Sequence, residues 1–410
     1  MSSISADADS ESRNAAVARR HDLDALRAFA MLLGMAYHSA LSFALGPGWL
    51  VQDLKQSKML YLFQAFVHGF RMQLFMLVSG FFTCMLWKRL GLKGLLVNRF
   101  RRVLLPCLAG LCTVVPAVHW AGAWAQRFQG VARQMPLRPL PVDLELSGLV
   151  AGSASFGEIG GRVFVLVWFL WFLVWLTPFF LLYAIAVKRF AWKVRPHVLL
   201  VSQWSTVWLV PLTIIPALRM GMGGSDFGPE TSMGVLPAPR VLCYYAVFFS
   251  FGVLYHECGD AEGQLGRSWR WTLPLTLLVI FPFALEVTSG VFGIRDVLLP
   301  KRFHRPAGVC FQVLFAWMMC FGAVGCFRSL LTGERRWIRY ISDASFWCYL
   351  AHLPVVILIQ GVVCSWALPA VMKFLIVFCS VSLLSFMSYE KWVRERWIGK
   401  FLRGQKNPPI

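Results

Sequence analysis

The chain has 410 residues, 58% of them hydrophobic and only 15% charged, against about 25% charge in an ordinary soluble protein. Its formal net charge is +20, but in so apolar a chain that excess is a topology and anionic-lipid signal rather than a nucleic-acid one. The composition excludes a soluble globular enzyme and predicts an all-α polytopic membrane helical bundle with the lipid bilayer as a partner.

Residues 1–21 are polar, rich in Ser, Ala, Asp and Arg, and read as a disordered cytoplasmic N-terminus without a cleavable signal peptide. Runs of about 20 mostly apolar residues then recur ten times, predicting about ten transmembrane helices at 24–46, 59–87, 103–125, 163–187, 198–218, 240–256, 271–290, 307–331, 343–366 and 371–389. The domain organisation is thus a membrane domain over 22–390 followed by a basic cytoplasmic tail at 391–410. Placing the N-terminus inside puts 25 of the 40 Lys and Arg on the cytoplasmic side, including Lys88, Arg89, Lys93, Arg99, Arg101 and Arg102 before the third run. That asymmetry predicts a multi-pass protein of the cell inner membrane with both termini cytoplasmic. The 11 cysteines avoid the long outer loops and show no metal-ligand spacing, so neither a disulfide framework nor a metal is expected.

The first run carries Arg27 and, eleven residues on, His38. Eleven residues make close to three helical turns, which sets both side chains on one face about 16 Å apart along the axis. An ionisable group inside a membrane helix costs several kcal/mol unless it faces a polar interior, so this pair marks a candidate site. At 1.5 Å per residue His38 lies about 22 Å from the inner end, in the outer half of the bilayer. His68 and Glu286 reach similar depths in their own helices. A neutral imidazole beside a carboxylate is suited to taking a proton from an alcohol, which makes His38 a candidate base with Glu286 or His68 holding its orientation. Toward the cytoplasm the residues turn basic: Arg27, Arg71, Ser79, Arg99 and Arg102 form a candidate phosphate-binding end, because guanidinium binds phosphate in bidentate fashion. Each also has a plain structural use. Arg99 and Arg102 satisfy the positive-inside pattern, Arg27 can snorkel to the interface, His68 and Glu286 can be satisfied within the core, and Ser79 can serve close packing beside Gly80.

Four stretches carry a family resemblance. "LDALRAFAMLLGMAYH" resembles the first helix of the acyltransferase-3 membrane family, whose signature is Arg or Lys, ten residues, then His. "FRMQLFMLVSGFF" is similar to its second helix, "RFRRVLLP" to its arginine-rich third, and "YISDASFWCYLAHLPVVIL" to a late helix with Ser345, Tyr349 and His352. The first two helices resemble most a branch that succinylates periplasmic glucans. The resemblance implies acyl transfer across the bilayer from cytoplasmic acyl-CoA, with succinyl-CoA as the branch's donor, to a glycan acceptor hydroxyl outside. It further implies that His38 is the base or an acyl carrier and that Arg27 orients the donor, with glycan-synthesis proteins as possible partners. One departure stands out: the branch has His-Leu-Trp-Phe-Leu before its fourth helix, whereas this chain has Val167, Trp168, Phe169 and Leu170 with no histidine.

Two other classes compete. A transporter or flippase for a glycan or acylated precursor would also line its path with His, Arg and Glu, but the two halves show no convincing repeat. A non-catalytic organiser of envelope glycan synthesis would require His38 to be dispensable.

Overall fold

The structure, a computed structural model, describes residues 20–46, 49–133, 164, 167–190, 201–224, 227–260, 262–331, 333, 335–396 and 399. Most of the expected N-terminal segment and basic tail, and the basic residues Lys193 and Arg195, lie outside these. Among the described residues the regular structure is helical, with no strand beyond one isolated bridge between Ala44 and Ser57.

Among the described residues ten long helices follow in chain order: α1 His21–Ala40, α2 Lys58–Arg99, α3 Leu105–Arg133, α4 Trp168–Arg189, α5 Thr206–Arg219, α6 Pro239–Cys258, α7 Trp269–Ser289, α8 Lys301–Leu330, α9 Arg336–Val363 and α10 Ala370–Ser388. At 42 residues, α2 would measure about 63 Å, twice the hydrocarbon thickness of a bilayer. It breaks at Gly91, whose φ of 69° and ψ of −176° suit glycine alone, and a π-helical stretch Phe100–Leu104 then leads into α3. Among the described residues seven segments are long and apolar enough to cross a membrane, and one of them, Lys58–Phe128, spans two of the expected runs. The two expected runs left over fall on α1, with Asp22, Asp24 and Arg27 in its first two turns, and on the 14-residue α5.

Side-chain neighbours fix the direction of each helix. Arg27 meets Phe82 and Tyr37 stacks on His68, so α1 and α2 are antiparallel. Arg27 bonds Ser342 while His38 faces His352, so α9 runs with α1, and α3 runs with it too because Gly110 lies by Leu350 and Ala125 by Gly361. The pairs Gln73–Tyr244 and Cys84–Glu257 align α6 with α2, and Phe75–Phe169 and Trp87–Phe180 do the same for α4. Helix α8 runs with α6 through Phe248–Trp317 and Tyr255–Arg328; against it α5 is antiparallel through Thr213–Trp317 and Leu218–Arg305, and α7 through Thr288–Gln312 and Leu273–Gly322. With α10 antiparallel to α9 through Tyr340–Phe386 and Cys364–Lys373, odd and even helices alternate throughout. The start of α1 and the end of α10 therefore share one end of the bundle.

Two glycines set the tightest approach. A Cβ on Gly80 would collide with the Phe249 carbonyl oxygen, and one on Gly252 with that of Leu77, so α2 and α6 touch backbone to backbone. The bundle's periphery is apolar, with Trp120, Phe179, Leu182, Trp271, Leu278 and Leu383 exposed, as a lipid-facing surface requires. The first run ends earlier than its apolar composition implied. Helix α1 stops at Ala40, and the following chain folds back as a cap in which Phe43 and Val51 are fully buried. The cap is fastened by an ion pair of 2.6 Å between Asp53 and Lys373 of α10, each only 1% exposed.

Candidate active site

A cavity of about 670 Å³ lies between α1, α2, α4, α9 and the chain leading into α3. Its walls are helical stripes. Arg27, Met31, Gly34 and His38 come from α1; Arg71, Phe75, Ser79 and Phe82 from α2; Arg339, Ser342, Ser345, Tyr349 and His352 from α9. Steps of three and four residues keep each set on one face, so three parallel or antiparallel stripes enclose one channel. The thirteen steps from Arg339 to His352, at about 1.5 Å each, give it a length of about 20 Å.

The two ends differ. At the end where α1 begins, Arg27, Asn98, Arg99, Arg102, Arg339 and Asp343 surround the opening, and Arg102 and Arg339 are exposed. Arg27 donates through Nη2 to Ser342 Oγ at 2.8 Å and lies 3.7 Å from Asp24. Arg99 donates to Thr83 Oγ1 at 2.6 Å, and that hydroxyl donates to the Ser79 carbonyl. The Nε atoms of Arg27 and Arg99 are buried with no partner among the described residues. Both guanidinium groups are thus held in place with donor capacity in reserve.

At the deep end stand His38, Arg71 and His352. Arg71 is 8% exposed, lies over the Tyr37 ring at 4.8 Å, and has Nε and Nη1 buried without a partner among the described residues. Gly34 makes room for it: a Cβ there would sit 3.0 Å from Arg71 Nη1. The His38 ring lies 5.3 Å from that of His352, 5.1 Å from Tyr37 and 5.8 Å from Trp49. Its backbone carbonyl, near the C-terminus of α1 and outside the helix ladder, accepts from Gln360 Nε2 at 2.9 Å, and Gln360 Oε1 in turn accepts from Trp49 Nε1 at 2.8 Å. This fixes both the height and the rotation of His38 relative to α9.

The cavity thus gathers six of the eight residues singled out from sequence: Arg27, His38, Arg71, Ser79, Arg99 and Arg102. His68 and Glu286 are not among its lining residues. His68 stacks on Tyr37, with centroids 5.6 Å apart, and packs against Gly228. Glu286, buried at 2% exposure, accepts from the Phe292 and Ile294 amides at 2.6 and 2.7 Å and pins the turn between α7 and α8. The pairing of Glu286 with His38 expected from depth is corrected on that ground: the carboxylate is spent on backbone donors. Sequence reasoning overlooked Asn98, Arg339, Ser342 and Asp343. The spacing Arg339, Ser342, Ser345, Tyr349, His352 was the signal that could have found most of that wall. Beside Trp168, which packs on Tyr245, Phe169 and Leu170 line the cavity with apolar surface; the position two before Trp168, where the related branch has its histidine, lies outside the described residues.

Comparison with known proteins assigns the family. The family profile described as "Acyltransferase domain" matches residues 20–390. Glucans biosynthesis protein C of Salmonella paratyphi B is 24% identical over 353 residues, and that of Escherichia coli strain SMS-3-5 is 26% identical over 348, each alignment covering 82% of both chains. No solved structure matches. With nine-tenths of its length matched by that profile, the chain belongs to the acyltransferase-3 family and is a multi-pass membrane acyltransferase.

Proposed function

We propose that this protein moves an acyl group from cytoplasmic acyl-CoA to a hydroxyl of a glycan on the outer side of the inner membrane. The observation that carries the reading is the single channel, with arginines at its opening and an imidazole about three helical turns away. Arg27, Arg99 and Arg102 bind the phosphates of the donor, a task for which guanidinium is shaped. The pantetheine arm lies along the apolar wall past Met31, Phe75 and Phe82, bringing the thioester to His38. Ser79 lies along that path as a further polar contact.

His38 accepts the proton of the acceptor hydroxyl as its oxygen attacks the thioester carbonyl. The C–O bond forms, the C–S bond breaks, and the proton passes to the departing thiolate. The names of the relatives point to a glucan as the acceptor class. A buried arginine with two unused nitrogens, beyond reach of the donor phosphates, favours an acyl group with its own carboxylate, and succinyl is the simplest such group. Proteins of glycan synthesis are the partners such a reaction would draw on.

The test is reconstitution into liposomes with radiolabelled acyl-CoA supplied on the face bearing Arg99 and Arg102, and glucan on the other. Label should appear on glucan as an alkali-labile ester. Label transported without ester formation would support the transporter reading instead.

A further inference from the structure

A histidine that acts as a base needs its second ring nitrogen held, because that bond sets both tautomer and ring orientation. The Nδ1 of His38 is buried and has no partner among the described residues. Neither group expected from depth supplies one, since Glu286 is bound to backbone amides and His68, stacked on Tyr37, makes no hydrogen bond to that nitrogen. Of the other rings beside His38, Trp49 carries only a donor, already given to Gln360, while His352 remains.

The chemistry of His352 is constrained by its own helix. Its Nδ1 lies 2.9 Å from the Cys348 carbonyl oxygen and 2.8 Å from that of Tyr349. Carbonyls only accept, so Nδ1 carries the proton and Nε2 is left as a bare acceptor. That Nε2 is buried without a partner among the described residues, in the wall of the same cavity. Two imidazoles with centres 5.3 Å apart leave about 3 Å between facing nitrogens, the length of one hydrogen bond. Rotation of the His38 ring to present Nδ1 to that nitrogen makes the bond; catalytic hydrogen bonds are often long or poorly aligned in an empty site and tighten only when it is loaded.

We propose that His352 is the positioning residue for His38: its Nε2 accepts a hydrogen bond from His38 Nδ1–H and leaves His38 Nε2 bare toward the acceptor hydroxyl. The arrangement has the logic of a nucleophile–base–orienter triad with a neutral imidazole in the place usually taken by a carboxylate. The inference rests on His38 being the base in the transfer proposed above. Here the acceptor proton travels from the hydroxyl to His38 Nε2 and on to the thiolate, and His352 neither gains nor loses one.

Two substitutions separate positioning from packing. His352→Asn can still donate to the Cys348 carbonyl, as Nδ1 does, but puts nothing at the Nε2 position. His352→Gln carries an amide oxygen out to that position and can accept from His38. In liposomes with acyl-CoA and glucan, His352→Asn should lower kcat about 10–100-fold, the range seen when the hydrogen-bond partner of a metal-bound imidazole is removed, with KM for acyl-CoA unchanged. His352→Gln should recover most of the rate. In a His38→Ala background His352→Asn should cost nothing further, because its effect passes through His38. Near-parental kcat in His352→Asn, no advantage of Gln over Asn, or losses that multiply in the double variant would each overturn the proposal. Transfer by the unaltered protein in the same vesicles tests the acyltransfer reading separately: if it fails, that reading falls, whereas an active parent with an indifferent His352 refutes only the positioning role.

Discussion

Replacing Arg71 by methionine removes a buried cation that makes no ion pair among the described residues. Two consequences follow, of opposite sense. Taking one partner from a buried pair usually costs 3–5 kcal/mol through the charge left behind, but Arg71 leaves no charge behind, and methionine of similar length fills the space over Tyr37. Thermal stability in detergent should therefore hold or rise. The cost falls on the substrate. Nε and Nη1 lie on different edges of the guanidinium, so either can offer an acyl carboxylate one charge-assisted hydrogen bond worth about 1.5–3 kcal/mol. Taking about 2 kcal/mol for that one bond gives a loss of roughly 30-fold in kcat/KM for succinyl-CoA. Acetyl-CoA has no carboxylate to lose and should fall less than about threefold, within the scatter of repacking a buried site. The assay is a competition between the two labelled donors for one glucan acceptor. Equal losses for both would refute the carboxylate assignment and point to Arg71 stabilising the oxyanion of the tetrahedral intermediate.

Arg99→Lys and Arg102→Lys keep the charge but lose the planar fork, so each should weaken acyl-CoA binding several-fold in equilibrium dialysis while protein level is maintained; unchanged affinity would leave these residues as topology signals. Glu286→Gln should lower thermal stability by about 1–2 kcal/mol, because an amide oxygen replaces a carboxylate that takes two backbone donors, and should leave kcat unaltered. Lys373→Met strands Asp53 in the cap and should destabilise the protein by about 3–5 kcal/mol, with stability restored in the double variant Asp53→Leu, Lys373→Met; a double variant no better than the single one would contradict the ion-pair account.

How far sequence carried the reading depends on what kind of information each residue holds. Position along a helix is legible from counting, so the three-turn spacing of Arg27 and His38 located one wall of the cavity before any contact was known. Depth is not azimuth, however. Counting puts Glu286 at a height like that of His38, but it sits on α7, which packs on α8 through Thr288 and Gln312, and no count along the chain says which helices are neighbours. The same gap hid α9. Its stripe from Arg339 to His352 was readable as a periodic face, but only its contact with α1 shows that Ser342 and His352 confront Arg27 and His38. Apolar content also could not separate helix from buried loop after Ala40, where Phe43 and Val51 leave the helix yet remain in the core. Gly91 looked like any glycine in a long helical run until its backbone was seen to break α2.

The most direct test of the account is single-turnover transfer by His38→Ala in sealed proteoliposomes, with labelled acyl-CoA on the arginine-rich face and glucan opposite, and donor binding measured on the same preparation. The account predicts a loss of about 10²–10⁴-fold in ester formation, the usual worth of a positioned general base, with acyl-CoA affinity within twofold of the parent. Ester formation at near-parental rate would contradict it, because His38 is the base on which the proposed transfer depends.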